Sequence, residues 1–216
     1  MKGYGQKAIF VGLLSMSLGC EHGPPQKHPV VGSDIAPGNI IIEVTSPKTG
    51  GDKFWRYQVM PSRGQVIQVQ AGRQTSGRWD TSAVSTGQVD CSHESVAVSP
   101  NQKFLARCFG ELPGRSAQFT VTTTAVDKVV FRWRPANWRA IDGFVWFPTS
   151  RSIALLTHSE KHGTGLVELL WAGAGHPVPH DTFYLDVVDI EEGRSYEYVI
   201  RYDVLTGSGR ILNWSP

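Results

Sequence analysis

Four histidines are the residues whose type and spacing could most directly do chemistry. His158 and His162 form one His-x-x-x-His pair, and His176 and His180 form another, in two stretches that the sequence indicates are loops. Three imidazole nitrogens from such pairs could coordinate zinc or another transition metal. The spacing that puts two histidines on one face is helical, however, and neither pair has the His-Glu-x-x-His form that is specific for a metal. The alternative is that all four are solvated loop residues.

Carboxylates are the second group that could do chemistry. A glycosidase needs two carboxyl groups about 5–10 Å apart across a cleft, and the chain has a run of candidates in Asp186, Asp189, Glu191 and Glu192. Strand carboxylates that alternate and face water explain the same residues equally well. The sequence contains no Gly-x-Ser-x-Gly motif and no phosphate-binding glycine loop. It therefore favours a protein that is not an enzyme and that needs no cofactor.

An aromatic and basic group is the third candidate, for binding rather than catalysis. Exposed tryptophan next to arginine is typical of binding hot spots. The residues concerned are Trp79, Arg132, Arg134, Trp138 and Arg139. If the stretch from Phe131 to Arg139 begins as a strand, alternation puts Phe131 and Trp133 on one face and Arg132 and Arg134 on the other. The arginines could instead stack on the tryptophans as cation–π pairs within the fold.

Three cysteines are present, and two of them predict a disulfide. Cys91 and Cys108 flank and enter one β-rich segment. In an oxidising compartment such a pair is expected to form a disulfide rather than a metal or redox site. A bond between Cys91 and Cys108 would close a loop of 17 residues and stabilise the fold by roughly 3 kcal/mol.

The first residues predict export. Lys2 and Lys7 give a basic start, and the apolar run that follows is too short to span a bilayer comfortably. Leu18-Gly19-Cys20 matches the end of a lipobox, and in this respect the N-terminus resembles a bacterial lipoprotein signal. The resemblance implies that Cys20 is lipidated and becomes the first residue of the mature protein. The alternative is an ordinary secretory signal that is cut nearby.

These features divide the chain into three parts. Residues 1–19 are predicted to be a signal peptide that is removed. Residues 20–38 are rich in proline and glycine and are expected to form a disordered tether. Residues 39–216 are expected to fold as one compact β domain, because β-branched and aromatic residues alternate there and long helical patterns are missing. The formal net charge of only +2 argues against a nucleic-acid partner.

Three segments of the folded part read alike. Each runs apolar residues into a proline, passes a short polar stretch and returns to an apolar run, which predicts a hairpin. The segments are Arg56–Val69, Ser95–Cys108 and Gly143–Leu156, and a fourth copy begins at Ile211–Pro216. Several strands in each unit and a period of about 40–45 residues are typical of propeller blades.

The repeated unit resembles the apolar-x-apolar-Ser-Pro-turn-apolar hairpin of bacterial β-propellers of the Tol-type periplasmic and WD-like repeat families. The match is best in Val96–Ala106. The resemblance implies an all-β fold, a small or incomplete β-propeller of about four blades. An antiparallel β-sandwich is the alternative. Ile211–Trp214 either closes the ring against an earlier strand or ends a shortened relative.

Together, the anchor, the tether, the repeats and the missing catalytic motifs predict a class of function. We expect an exported lipoprotein, held at the bacterial cell envelope through its lipid, that binds an envelope protein or glycan without catalysis. It would face the periplasm or the outer surface, or be secreted if the anchor is absent. The alternative is an envelope hydrolase or metal-dependent enzyme on the same scaffold. Bare sheet edges could also serve oligomerisation.

Overall fold

The computed structural model describes residues 28–32, 34–46, 52–74, 87–109, 117–133, 139–159, 181–204 and 207–215. Within these ranges the chain forms thirteen β-strands, one short 3-10 turn at Pro61–Arg63 and no α-helix. The predicted all-β fold is therefore confirmed. No helix in this part of the chain is long and apolar enough to cross a membrane.

The first sheet, sheet I, contains both ends of the described chain. It is built from β1 (Asn39–Ser46), β2 (Asp52–Met60), β3 (Gln65–Gln74) and the C-terminal strand β13 (Ser208–Ser215). The order is β13-β1-β2-β3 and every pairing is antiparallel. The last strand thus pairs with the first, so the chain closes against an earlier strand, as one of the two sequence-based possibilities proposed.

Sheet III is a meander whose strands follow one another in the chain. It consists of β5 (Ser95–Val98), β6 (Phe104–Phe109), β7 (Gln118–Thr123) and β8 (Val129–Trp133). The predicted disulfide is confirmed here. Cys91 lies just before β5 and is bonded to Cys108 of β6, with 5.6 Å between the two Cα atoms, and both side chains are fully buried.

Sheet II lies between the other two sheets. It is the meander β9 (Arg139–Trp146), β10 (Ser152–Ser159), β11 (Asp181–Asp189) and β12 (Arg194–Val204), and the two-residue strand β4 (Val89–Asp90) pairs with β9. One buried apolar cluster fills the space between sheets I and II, and a second fills the space between sheets II and III.

Strand β10 shows why sheet II is central. Ala154 and Leu156 belong to the cluster that faces sheet I, whereas Ile153 and Leu155 belong to the cluster that faces sheet III. Successive side chains of a strand point to opposite faces. A strand that is buried on both faces therefore needs the continuous apolar run that the sequence has here.

Stacked four-stranded antiparallel sheets are the arrangement of neighbouring propeller blades. The described residues form three antiparallel sheets of four, five and four strands, in the spatial order I, II, III, so the predicted number of about four blades is not confirmed. A two-layer sandwich does not describe three stacked sheets. One face of sheet I and one face of sheet III lie outside both apolar clusters, and these are called the outer faces below.

The aligned prolines do not all occupy the same corner. Pro100 and Pro148 each follow the first strand of a meander, β5 and β9. Pro61 instead lies between β2 and β3, the third and fourth strands of sheet I. If the three similar segments were equivalent units, their prolines would follow the same strand in each sheet. This is wrong for Pro61, because an apolar–proline–polar pattern indicates a turn but not the place of that turn in a sheet. In sheet I, the position that corresponds to Pro100 and Pro148 is the end of β13, which is the first strand in the order of that sheet. The fourth copy of the pattern was predicted there.

The folded part begins before Asn39. Val31, Ile35 and Ala36, which fall in the predicted tether, are buried in the cluster between sheets I and II. The backbone N–H of Val31 donates to the carbonyl of Pro61 at 3.0 Å. The folded part therefore includes the end of the predicted tether, residues 20–38, because this proline-rich stretch also carries apolar residues that pack in the core. Residues 1–27, including Cys20 and the predicted signal, lie outside the described residues.

Candidate binding surface

The outer face of sheet III presents two rows of side chains that cross all four strands. Register and alternation set these rows. The valine row consists of Val98, Leu105, Thr122 and Val129. The arginine row consists of Val96, Arg107, Thr120 and Arg132. A bulge between Val121 and Thr122 brings Val129 into line with its row.

The apolar members of these rows are unusually open for a sheet face. Val96 is 50% exposed, Val98 is 53% exposed and Val129 is 44% exposed. They point away from the cluster between sheets II and III, while their neighbours Ala106 and Phe119 point into it. Contiguous exposed apolar side chains with a polar rim mark interaction sites. This face therefore has the composition of a protein-binding surface.

The arginine row carries positive charge that sheet III does not neutralise. No Asp or Glu occurs in the four strands of the sheet. The Nε of Arg107 and the Oγ1 of Thr122 are buried and have no hydrogen-bond partner among the described residues. A buried donor without an acceptor costs free energy, so this part of the face is not fully satisfied within the fold.

The residues of the predicted aromatic and basic patch are separated in the structure. Phe131 and Trp133 are buried and Arg132 is exposed on the opposite face, as alternation predicted. Arg139 lies on a different sheet, at the start of β9. Trp79, Arg134 and Trp138 lie outside the described residues. The structure therefore keeps Arg132 on the outer face of sheet III and places Arg139 elsewhere.

Arg139 is held by contacts within sheet II. One guanidinium nitrogen (NH1) lies 2.6 Å from an Oε2 of Glu197, and its guanidinium carbon lies 3.5 Å from the ring centroid of Tyr184. This matches the alternative interpretation, a cation–π contact inside the fold, although the ring is a tyrosine rather than a tryptophan. Its partners come from β11 and β12, far along the chain, so the sequence gave no local sign of them.

Among the candidate carboxylates, Asp186 occupies the most unusual environment. It lies opposite Glu197 in the β11–β12 register and is only 3% exposed, and its Oδ2 has no partner among the described residues. The pKa of Asp186 is raised to about 7, chiefly by burial and then by the negative charge of Glu197. Arg139 and a hydrogen bond from Trp133 act in the opposite direction. Because the carboxyl group of Asp186 is shielded from solvent, it is not accessible to a substrate in this geometry.

The other three candidate carboxylates belong to the turn that joins β11 and β12. Asp189 is fully buried and accepts from the backbone N–H groups of Glu191 and Glu192, at 3.0 and 3.3 Å. Glu191 and Glu192 are exposed. Asp189 therefore shapes the turn, in the way that aspartate side chains commonly do.

Of the four predicted metal ligands, His158 is the one that lies in the described residues. It belongs to strand β10 and not to a loop, and its Nδ1 lies 3.0 Å from Oδ2 of Asp142. Burial raises the pKa of Asp142, and the contact with His158 lowers it in part. His162, His176 and His180 lie outside the described residues. Within the described ranges, no three His, Cys, Asp or Glu side chains are grouped to hold a metal ion.

The outer face of sheet I carries a comparable row whose charges are paired internally. Glu43 is 3% exposed and lies between Arg210 and Arg56 in the register. Its Oε2 is 2.7 Å from Nε of Arg56, and its Oε1 is 2.6 Å from a terminal nitrogen (NH2) of Arg210. Arg56 also donates to the side chain of Gln70 at 2.8 Å. This row completes its own hydrogen bonds and links the C-terminal strand to β1 and β2.

Arg107 and its place beside Arg132 were not predicted from the sequence. The available signal was compositional: the segments that become β5 to β8 contain arginine but no acidic residue. That signal indicates an uncompensated positive face. It could not show that both arginines fall in one row, which depends on the registers of three strand pairs.

Comparisons with known proteins give only distant similarities. No protein-family model matches the chain, and the comparison with curated proteins gives no match. Among solved structures, the chain is similar to Kuenenia stuttgartiensis hydrazine synthase, with 14% identity, a TM-score of 0.36 and coverage of 76% of this chain and 43% of that one. It is also similar to TolB from Acinetobacter baumannii, with 15% identity, a TM-score of 0.29 and coverage of 82% and 33%. The chain thus spans less than half the length of either protein, and similarity of this size carries no information on function.

Proposed function

We propose that this protein is an exported, lipid-anchored binding module of the bacterial cell envelope, built as a divergent and incomplete β-propeller. Its function is to capture an acidic segment of another envelope protein on the outer face of sheet III, without catalysis. The lipoprotein-like signal ending at Cys20 supports the anchor. The buried Cys91–Cys108 disulfide is consistent with an oxidising compartment.

The observation that carries the proposal is the arginine row. Arg107 and Arg132 flank Thr120, and the sheet contains no carboxylate to pair with them. Arginine bonds carboxylates through two parallel N–H donors, which gives both strength and direction. A ligand that brings carboxylates to this row would pair with the guanidinium groups for which the strands of sheet III provide no acidic partner.

The valine row favours a protein over a glycan. Val98, Leu105 and Val129 offer branched aliphatic side chains, which pack against the apolar side chains of another protein. Sugar rings are held best by flat aromatic side chains, and the aromatic residues of β8 point into the core. The expected ligand is therefore a peptide segment that combines Asp or Glu with apolar residues.

Site-specific photo-crosslinking tests this function. A photoreactive residue at Val98 of the full chain is activated in intact cells, and the crosslinked peptide is sequenced. We expect a segment of an envelope protein that is rich in acidic and apolar residues. Crosslinking to a glycan, to a segment without acidic residues, or to nothing would overturn the proposal.

A matched pair of substitutions separates charge from shape. Thr120→Glu places a carboxylate between the two arginines and is expected to reduce crosslinking from Val98 at least tenfold, because the arginines are then paired within the sheet. Thr120→Gln has nearly the same shape without the charge and is expected to retain the crosslink. If both variants keep the crosslink, or both lose it, the arginine row is not the recognition element.

A further inference from the structure

Residues 28–37 run across one end of the molecule and are attached there to sheets I and II. The backbone N–H of Val31 donates to the carbonyl of Pro61, in the β2–β3 turn, at 3.0 Å. The carboxylate of Asp34 accepts from Arg151, in the β9–β10 turn, at 2.9 Å. Val31 is also buried in the cluster between the two sheets. The N-terminal part of the chain therefore joins the fold at a fixed place.

The same end of the molecule contains five turns that connect consecutive strands. By register, the end of β2 lies beside the start of β1, and the end of β9 lies beside the end of β11. The backbone N–H of Asn101 donates to the hydroxyl of Ser150 at 2.9 Å, and the backbone N–H of Thr124 donates to the carbonyl of Lys103 at 3.0 Å. These bonds bring the turns of sheet III to this end, called the entry end below. The turns are 61–64, 99–103, 124–128, 147–151 and 190–193.

The two most exposed large apolar side chains of the described residues both lie at the entry end. Val126, in the β7–β8 turn, is 74% exposed, and Val30 is 64% exposed. Lys103 and Lys128 are exposed in the two turns around Val126, and Asp127 is the one acid in those turns. An exposed apolar side chain beside lysines is typical of a surface that lies against lipid headgroups.

The acids of the entry end surround an arginine of sheet II instead. Arg151 lies 2.9 Å from Asp34, 3.4 Å from Asp189 and 3.4 Å from Glu191. This group supplies its own positive charge, whereas the two lysines of sheet III form no ion pair with another described residue. The unpaired positive charge is therefore on the same side as Val126.

The length of chain before the described residues determines which end of the molecule reaches a membrane. Cys20 precedes His28 by eight residues, which span at most about 29 Å when fully extended. Strand β12 has eleven residues and is about 36 Å long. A chain attached to lipid at Cys20 is therefore too short to pass along the sheets and turn the opposite end towards the bilayer.

We propose that the entry end is a membrane-contact surface, at which Val126 meets the headgroup region and Lys103 and Lys128 bind acidic lipid headgroups. This inference rests on the lipid anchor of the proposed function. The strands then run away from the bilayer, and the outer face of sheet III stands upright on it. The valine row, which includes the last residue of β5 and the first of β8, lies nearer to the lipid than the arginine row.

Photo-crosslinking of the purified protein to lipid tests this orientation. The protein is placed in vesicles of phosphatidylethanolamine and phosphatidylglycerol, and mass spectrometry measures both acylation of Cys20 and covalent lipid adducts. A photoreactive residue at Val126 is expected to give at least five times the lipid adduct of the same residue at Arg73. Arg73 is the control because it is exposed at the opposite end of sheet I.

A matched pair of double variants, made in the chain with the photoreactive residue at Val126, tests the charge. Lys103→Gln with Lys128→Gln is expected to lower the lipid adduct at least twofold. Lys53→Gln with Arg73→Gln removes two positive charges from the opposite end and is expected to leave the adduct unchanged.

Two results would overturn the membrane-contact surface while leaving the anchor in place. One is an adduct from Val126 that does not exceed the adduct from Arg73 in acylated protein. The other is an equal adduct in the two double variants. Protein that is not acylated at Cys20 would overturn the anchor itself and this inference with it. Crosslinking from Val98 to an envelope peptide is a separate measurement, so a failure of ligand capture is distinguishable from both.

Discussion

The two outer faces of the molecule use the same architecture with opposite results. On each, a row of four side chains crosses the sheet and contains two arginines. In sheet I the residue between the arginines is Glu43, which bonds both of them. In sheet III the residue in that place is Thr120, and Arg107 and Arg132 make no ion pair with a described residue. One side chain thus determines whether the two arginines of a face share a carboxylate from their own sheet.

The side chains near the two pairs of arginines also differ in exposure. Glu43 and its neighbour Thr45 are buried on sheet I under a network of polar contacts. On sheet III, Val96 and Val98 are about half exposed. A face whose charges are satisfied gains little from a partner, whereas unpaired arginines among valines gain both hydrogen bonds and apolar burial. The comparison therefore supports sheet III as the location of the proposed binding surface.

Among the changes compared at a single pH, the disulfide gives the largest expected effect, and it acts on sheet III. Replacing Cys91 and Cys108 together by alanine is expected to lower the free energy of unfolding by about 3 kcal/mol, because the unfolded chain gains the entropy of an open loop. Urea unfolding measures the loss. Hydrogen exchange should show that amide protection falls more in sheet III than in sheet I. An equal loss in both sheets would contradict the local role of the bond.

Glu43→Gln removes the charge that completes sheet I. Two arginines with less than a third of their side chains exposed then lose the carboxylate that bonds both of them. We expect the free energy of unfolding to fall by about 2 kcal/mol. Thr120→Gln, at the equivalent place in sheet III, is the control and should change stability by less than about 0.5 kcal/mol. Similar values for the two variants would remove the distinction between the faces.

Asp186 extends the comparison to an acid that lies between sheets II and III. Its pKa in the folded protein is raised to about 7 by burial, so the folded state holds a proton that the unfolded chain releases near pH 4. Stability is therefore expected to decrease as pH rises from about 4 to 7, by up to about 1.4 kcal/mol per pH unit.

The control for this pH effect is Asp186→Asn, which keeps the shape and cannot ionise. It should flatten the decrease measured by urea unfolding at a series of pH values between 5 and 7.5. Asp142, whose pKa burial also raises, contributes equally to both proteins, so the difference between their slopes isolates Asp186. Parallel slopes would show that Asp186 is ionised when the protein is folded.

The smallest effect is expected from a substitution that gives sheet III a carboxylate in the place that Glu43 occupies in sheet I. Thr120→Glu should raise the free energy of unfolding by about 0.5 kcal/mol, since the new carboxylate pairs with Arg107 and Arg132 across the strands. High salt should remove most of this gain. Thr120→Gln serves again as the uncharged control. A gain that persists at high salt would mean that packing rather than charge caused it.

Local sequence patterns were sufficient for the all-β fold, the hairpin turns and the sidedness of β8. Alternation placed Phe131 inside and Arg132 outside because a strand turns successive side chains to opposite faces. The expectation that the protein is exported to an oxidising compartment predicted the bond between Cys91 and Cys108, and the structure has this bond. These properties depend on neighbouring residues or on composition, so they can be read without coordinates.

Tertiary structure alone decided which residues share a surface. Arg107 joins Arg132 through three strand registers and a bulge, and Arg139 leaves the predicted patch because Tyr184 and Glu197 arrive from distant strands. The packing of sheets I and III on the two faces of sheet II puts sheet II in the centre and leaves the outer faces of sheets I and III outside the core clusters. Each outcome depends on contacts between residues far apart in the chain, and a repeated local pattern carries no record of such contacts.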